Sequence, residues 1–141
     1  MIREIEFASH PGNMALMRDF VRKFLSEFDF PDGEKEIMVL GLDEACTNVI
    51  RYAYEHACSQ PMSLSCERLG DGIVFRLRDY GKPCPPEQLR GRELDKVRPG
   101  GLGVHLIRRA FDGVEYIPKE DGTELMLTRY FQRPPQPKTD E

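Results

Sequence analysis

The chain has 141 residues, 40% of them hydrophobic and 31% charged, with a net charge of −4. That length predicts one domain with a substantial core, and the composition excludes disordered and fibrous classes. The acidic balance supplies no general drive toward nucleic acid or an anionic membrane surface, so neither is expected as a direct partner.

Ile2 to Ser9 alternates apolar and polar residues and predicts a short strand. His10-Pro11-Gly12-Asn13 breaks it. Met14 to Phe28 carries apolar residues at positions 14, 17, 20, 21, 24, 25 and 28, the spacing of an amphipathic helix. After Pro31, Asp32 is the expected N-cap of a second helix running to about Ala57, with Glu34 and Glu36 in its positive first turn. Met38, Leu42, Ala45, Val49 and Ala53 form its core stripe. Beyond Ser59-Gln60-Pro61 the period shortens to two. Met62, Leu64 and Cys66 share one face, Leu69-Gly70-Asp71-Gly72 turns the chain, and Ile73, Phe75 and Leu77 return it.

Tyr80 to Pro99 is rich in proline and charge and reads as a long loop, of the kind that serves function or stays disordered. Leu102 to Asp112 predicts a third helix, with Arg108 and Arg109 in its negative last turn and Gly113 as C-cap. Val114 to Ile117 and Glu124 to Phe131 form a closing hairpin turned at Glu120-Asp121-Gly122. The expected fold is α+β, a two-layer sandwich of helices on one face of a mixed, mostly antiparallel sheet. Residues 1–133 make the domain and the proline-rich 134–141 a disordered tail.

No apolar run reaches the ~20 residues of a spanning helix. The longest is Ile37 to Leu42. Met1-Ile2-Arg3-Glu4 is charged and no apolar stretch of signal-peptide type follows it, so a cytoplasmic location is expected. Cys46, Cys58, Cys66 and Cys84 contain no Cys-x-x-Cys pair and read as free, structural thiols. His10, His56 and His105 are scattered and also read as structural.

Three short motifs carry the chemistry. In Asp43-Glu44-Ala45-Cys46-Thr47-Asn48, Glu44 and Asn48 lie four apart and project from one helix face beside the core stripe. A carboxylate there can take a proton from a nucleophile, and an amide oxygen suits a hard cation such as Mg²⁺. The bland alternative is a solvated helix face. Arg78-Asp79-Tyr80-Gly81 closes a strand: either a plain turn, or an acceptor-only carboxylate for an amino group, with Gly81 leaving room for a flat ring. Arg98-Pro99-Gly100-Gly101-Leu102-Gly103 opens the third helix, where bare amides at the positive helix end suit phosphate, although the spacing fits neither a Rossmann nor a Walker loop. A flexible hinge is the alternative.

In this order, and followed by Gly122-Thr123-Glu124-Leu125 in the last hairpin, the motifs resemble the Bergerat-type ATP-binding superfamily. Within it they are most similar to the small bacterial anti-sigma factor serine kinases, over residues 5–131. The resemblance implies ATP and Mg²⁺ as cofactors. It makes Glu44 the general base for a serine hydroxyl and Asn48 the Mg²⁺ ligand. Asp79 accepts the adenine amino group, with Gly81 and Thr123 completing the base pocket. Gly100, Gly101, Leu102 and Gly103 meet the phosphates under a lid from Lys82 to Pro99, and Arg98 is placed, by position alone, as a partner of the terminal phosphate. Two departures stand out: Pro83 where the wider superfamily often has a second glycine, and Tyr52 where many relatives have histidine.

The implied function is an ATP-dependent protein serine kinase that phosphorylates an anti-anti-sigma (STAS-type) partner and sequesters a sigma factor, with a homodimer as a further implication. The alternative is a non-catalytic, ATP-responsive binding module. A sensor histidine kinase ATPase and a gyrase-like ATPase fit less well, because no phosphoacceptor helix or transducer domain accompanies the motifs.

Overall fold

Residues with alternating polarity form five strands in the computed structural model, which describes residues 2–55, 57–82 and 102–133. They are β1 (Ile2–Ala8), β2 (Pro61–Arg68), β3 (Gly72–Asp79), β4 (Gly113–Lys119) and β5 (Gly122–Tyr130). The sheet order is β1-β2-β3-β5-β4, and every pairing among the described strands is antiparallel. Among the described residues three α-helices, α1 (Met14–Leu25), α2 (Asp32–Asn48) and α3 (Leu102–Ala110), complete the α+β two-layer architecture.

The core lies between the helices and one sheet face. Met17, Val21 and Leu25 of α1 and Met38, Val39 and Leu42 of α2 are fully buried with Leu64, Ile73, Phe75, Leu77 and Leu127. Phe75, on the central strand, meets Phe24 of α1 and Phe111 beyond α3 edge-on, each at 5.7 Å between ring centres. On the other face Arg76 of β3 reaches Glu67 of β2 at 2.9 Å. The Met and Phe residues of α1 pack on this core: Met14, Met17 and Phe24 are buried in it and Phe20 lies partly buried against it. Leu16 remains exposed.

Helix α2 touches both of its neighbours. Arg18 and Arg22 of α1 pair with its Asp43 at 2.9 Å and Glu36 at 2.8 Å. At Gly41 the third helix comes so close that an added Cβ would lie 3.1 Å from Ala110 and 3.2 Å from Phe111. A glycine inside a helix costs about 1 kcal/mol against alanine, and here it permits close helix contact.

Several element ends differ from the expectation. Asp32 is the first residue of α2 and not its N-cap. Pro31, extended at ψ 148°, precedes it, and Asp32 joins Glu34 as first-turn acid. The helix does not continue to Ala57: α2 ends at Asn48 and a π-helical turn, Val49–Ala53, follows. There the Tyr54 amide reaches back to the Val49 carbonyl at 3.0 Å, and Glu55 (φ 51°) and Ser59 (φ 70°) take left-handed conformations that end the helical path. Gly113 is not a helix cap either. The Asp112 amide already bonds Thr128 of β5 at 2.7 Å, so the chain enters the sheet and Gly113 opens β4. Helix α1 stops at Leu25, while Phe28 packs on Phe24 and Phe131.

Cys46 and Cys66 are buried free thiols, and burial pushes both up, Cys66 to about 12, so neither offers a thiolate. Cys58 is free and exposed. His10 accepts the Gly12 amide at 2.9 Å, a local turn contact. Cys84, His56 and the tail 134–141 lie outside the described residues. Among the described residues no helix is long and apolar enough to cross a membrane.

Candidate functional site

The motifs lie on different elements, and the sheet brings two of their residues together directly. Asp79 ends β3 and Thr123 begins β5, and they are register partners across the ladder. Both are buried. The Asp79 Oδ1 accepts the Gly81 amide at 3.0 Å, which turns the chain out of the strand and orients the carboxylate. Arg78 braces the same corner: it stacks on the Tyr80 ring at 4.2 Å and pairs with Asp121 at 2.5 Å in the β4–β5 turn.

Gly122 is required by this approach of β5 to β3. Its φ is +130°, and an added Cβ would fall 2.1 Å from the Asp79 carbonyl oxygen. Gly81 is also sterically confined. An added Cβ would sit 2.6 Å from the Ala53 carbonyl oxygen and 2.8 Å from Tyr54 Cδ1. The missing side chain lets the β3 exit lie against the end of the α2 path, a packing demand that the sequence did not show.

That contact joins the second motif to the first. The Lys82 amide donates to the Ala53 carbonyl at 3.0 Å. The Tyr54 hydroxyl accepts the Tyr80 amide at 2.7 Å and donates to the Pro61 carbonyl at 2.5 Å. From Asn48 to Ala53 is five residues, about 8 Å of helical path. The π turn therefore connects the C-terminal end of α2, which carries Asn48, to the Asp79 corner. Both are half-buried on α2 beside the buried Ala45 and Cys46. Burial raises the Glu44 carboxyl above its ordinary range, Arg51 partly offsets that, and Asp43 adds to it. An upward shift of this kind makes the carboxylate a better proton acceptor.

Leu102 and Gly103 are the first two residues of α3, so their amides lack carbonyl partners within the helix. Arg98, Gly100 and Gly101 lie outside the described residues, as does the lid beyond Lys82. For Mg²⁺, the donor set is consistent with a weakly held, substrate-borne ion. Asn48 offers a single amide oxygen, and no group of three or more His, Cys, Asp or Glu able to hold a metal occurs among the described residues. Mg²⁺ bound with phosphates commonly uses one or two protein oxygens and keeps several waters.

Three elements escaped sequence reasoning: the π turn, Tyr54 as its fastening, and Arg51 as the cation near Glu44. The 3.6-residue period runs through positions 49–54 without a break, so no local signal marks the widened turn. Tyr54 has only its aromatic ring and hydroxyl to suggest a buried, hydrogen-bonded place.

A family model described as histidine kinase-like ATPase domain matches residues 7–129. The serine-protein kinase RsbW of Bacillus cereus is 22% identical over 138 residues, covering 92% of this chain and 85% of the relative. The RsbW of Bacillus mycoides matches equally, at 22% over 138 residues and the same coverage. Among solved structures, the RsbU and RsbW domains of Rv1364c from Mycobacterium tuberculosis superpose with a TM-score of 0.68 at 15% identity. That match covers 99% of this chain and 34% of the solved one, so the chain spans about a third of that protein's length and the likeness is one of fold.

Proposed function

The chain belongs to the histidine kinase-like ATPase domain family, and from that premise we propose that it is an ATP-dependent protein serine kinase. Its substrate is a small anti-anti-sigma protein bearing one acceptor serine. In the unmodified circuit the chain holds a sigma factor, and phosphorylation keeps the partner from displacing it. The supporting observation is the joined geometry of base-reading and transfer residues: the buried Asp79–Thr123 pair is tied through Tyr54 to the helix carrying Glu44 and Asn48. Relatives named as serine-protein kinases support the same reading.

Asp79 accepts the adenine amino group, and Thr123 completes the pocket from the neighbouring strand. The amides of Gly100, Gly101, Leu102 and Gly103 meet the phosphates, with Arg98 at the terminal one. Asn48 holds Mg²⁺, which supplies neutralisation of phosphate charge. Glu44 receives the proton from the attacking serine hydroxyl. Catalysis of this kind is largely positioning and charge stabilisation, which explains why a domain of net charge −4 needs no basic surface. The site works in the cytoplasm.

The deciding experiment is single-turnover phosphate transfer from Mg-ATP to candidate anti-anti-sigma proteins. The wild type is expected to transfer to serine, and Glu44→Gln to bind nucleotide with near-unchanged affinity and lose transfer. Binding without transfer by the wild type would instead identify an ATP-responsive binding module.

A further inference from the structure

One buried side chain beside the site belongs to none of the three motifs. Tyr54 is 7% exposed and stands where three segments converge: the end of the π turn, the start of β2 and the exit of β3. Its hydroxyl uses both of its capacities on backbone, accepting from the Tyr80 amide at 2.7 Å and donating to the Pro61 carbonyl at 2.5 Å. Its ring edge lies 2.8 Å from where a Gly81 Cβ would be. The neighbouring Ala53 carbonyl takes the Lys82 amide at 3.0 Å. Tyr80 and Lys82 are thus fastened to the α2 path, and Gly81 between them donates to Asp79 Oδ1 at 3.0 Å. Three consecutive amides hold one turn, two of them to the α2 path and one to the carboxylate itself.

We propose that Tyr54 is a positioning residue for base recognition, fixing the Asp79–Lys82 turn against the end of α2 so that the Asp79 carboxylate keeps its place relative to Glu44 and Asn48. This rests on the reading of Asp79 as the acceptor of an adenine amino group. Tyr54 does not touch the base. It removes the freedom of the turn from which the carboxylate projects, and preorganisation of this kind favours the ligand that exploits the fixed group over one that does not. The widened turn has a purpose in this arrangement: it carries both the Ala53 carbonyl and the Tyr54 hydroxyl to the β3 exit.

The test compares ATP with purine riboside triphosphate, which lacks the exocyclic amino group, by equilibrium binding. The wild type should prefer ATP by about tenfold or more, the range of a hydrogen bond to a charged acceptor. Tyr54→Phe keeps the ring and loses the hydroxyl. It is expected to reduce that preference to roughly twofold, mainly by weakening ATP. Ser9→Ala is the matched control. Ser9 is equally buried and its hydroxyl ties Ala57 at 2.6 Å and Gln60 at 3.0 Å, in the segment that follows, without touching the β3 exit. It should lower stability and leave the preference intact.

If the wild type shows no preference, the base-reading assignment of Asp79 fails. If the wild type shows it and Tyr54→Phe retains it, the positioning assignment fails while the base-reading one stands. Should Tyr54→Phe not fold, amide exchange of the wild type decides. The Tyr80, Gly81 and Lys82 amides are expected to exchange slowly and as one group, and independent fast exchange of Tyr80 would overturn the proposal.

Discussion

Asp79 and Thr123 face each other across β3 and β5, both buried, at the corner where Gly122 lets the strands close at φ +130°. Strand register alone builds this pair of a buried carboxyl and a hydroxyl, since the two residues are 44 positions apart in the chain, and as an ionised acceptor Asp79 suits the donor role proposed for the adenine amino group. Asp79→Asn keeps the shape and removes the acceptor-only character, so ATP affinity should fall roughly 10–100-fold. Thr123→Val should cost roughly threefold. Because the residues are cross-strand neighbours, the double variant should show a coupling of about 0.5–3 kcal/mol by titration calorimetry. Unchanged affinity in Asp79→Asn would remove Asp79 from the site.

The two glycines at positions 122 and 33 make a paired stability test. Gly122→Ala places a methyl group against the Asp79 carbonyl in a left-handed conformation and should cost about 2–3 kcal/mol. Gly33 lies in the first turn of α2 with nothing within 4 Å of an added Cβ. Gly33→Ala should therefore stabilise by about 0.4–1 kcal/mol. Chemical denaturation of the two variants checks both signs at once.

Transfer should be lost on the acid side as Glu44 takes up a proton, and at a higher pH than for a fully solvated glutamate because burial raises this group. Arg51→Gln removes the cation that partly offsets burial, so the acid limb of single-turnover transfer should move to higher pH. The stability sign is opposite to that of an ion-paired acid. A folded-state value raised above the unfolded one means the folded protein binds more protons between the two values, so Glu44 lowers stability as pH rises through that window. Glu44→Gln should then be at least as stable as the wild type at neutral pH while inactive in transfer. An unmoved acid limb in Arg51→Gln would exclude Arg51 from this effect.

Away from the site, Asp112 anchors the opposite end of the sheet. It accepts the Tyr130 amide at 2.8 Å and the Arg133 guanidinium at 2.6 Å, with Arg129 at 4.0 Å. Arg129 itself pairs with Glu34 of α2 at 3.0 Å. Asp112→Ala removes the acceptor of the Tyr130 amide and the nearest carboxylate of Arg133, while Arg129 keeps Glu34, and should cost about 1–3 kcal/mol. The register places Asp112 beside Thr128, five residues along β5 from Thr123 and about 17 Å away. Nucleotide affinity of the folded variant should accordingly stay within about twofold of the wild type.

Much of the fold was legible because period and burial coincide. Met62, Leu64 and Cys66 alternate toward the core, and Met17, Val21 and Leu25 recur on one helix face. The element order of one strand, two helices, a hairpin, a helix and a hairpin followed from those patterns. The helix ends were less legible. Asp32 and Gly113 are residue types suited to ends, and nothing before Ala57 breaks the helical period, but the β5 ladder and the fastening of Tyr54 decided where α3 and α2 stop.

The sequence by itself determined the chemistry that is available: a carboxylate and an amide four apart on a helix, an aspartate closing a strand, and glycines opening a helix. These depend on local spacing, and helix and strand periods read spacing directly. Tertiary structure alone decided which groups share a corner. Pairing of β3 with β5 sets Asp79 against Thr123, and the π turn brings Tyr54 and Ala53 to the β3 exit. It also placed a second demand on Gly81, whose missing side chain allows a close contact with the Ala53 carbonyl. Such contacts join residues tens of positions apart, and their cause is packing between elements, which no single-element pattern records.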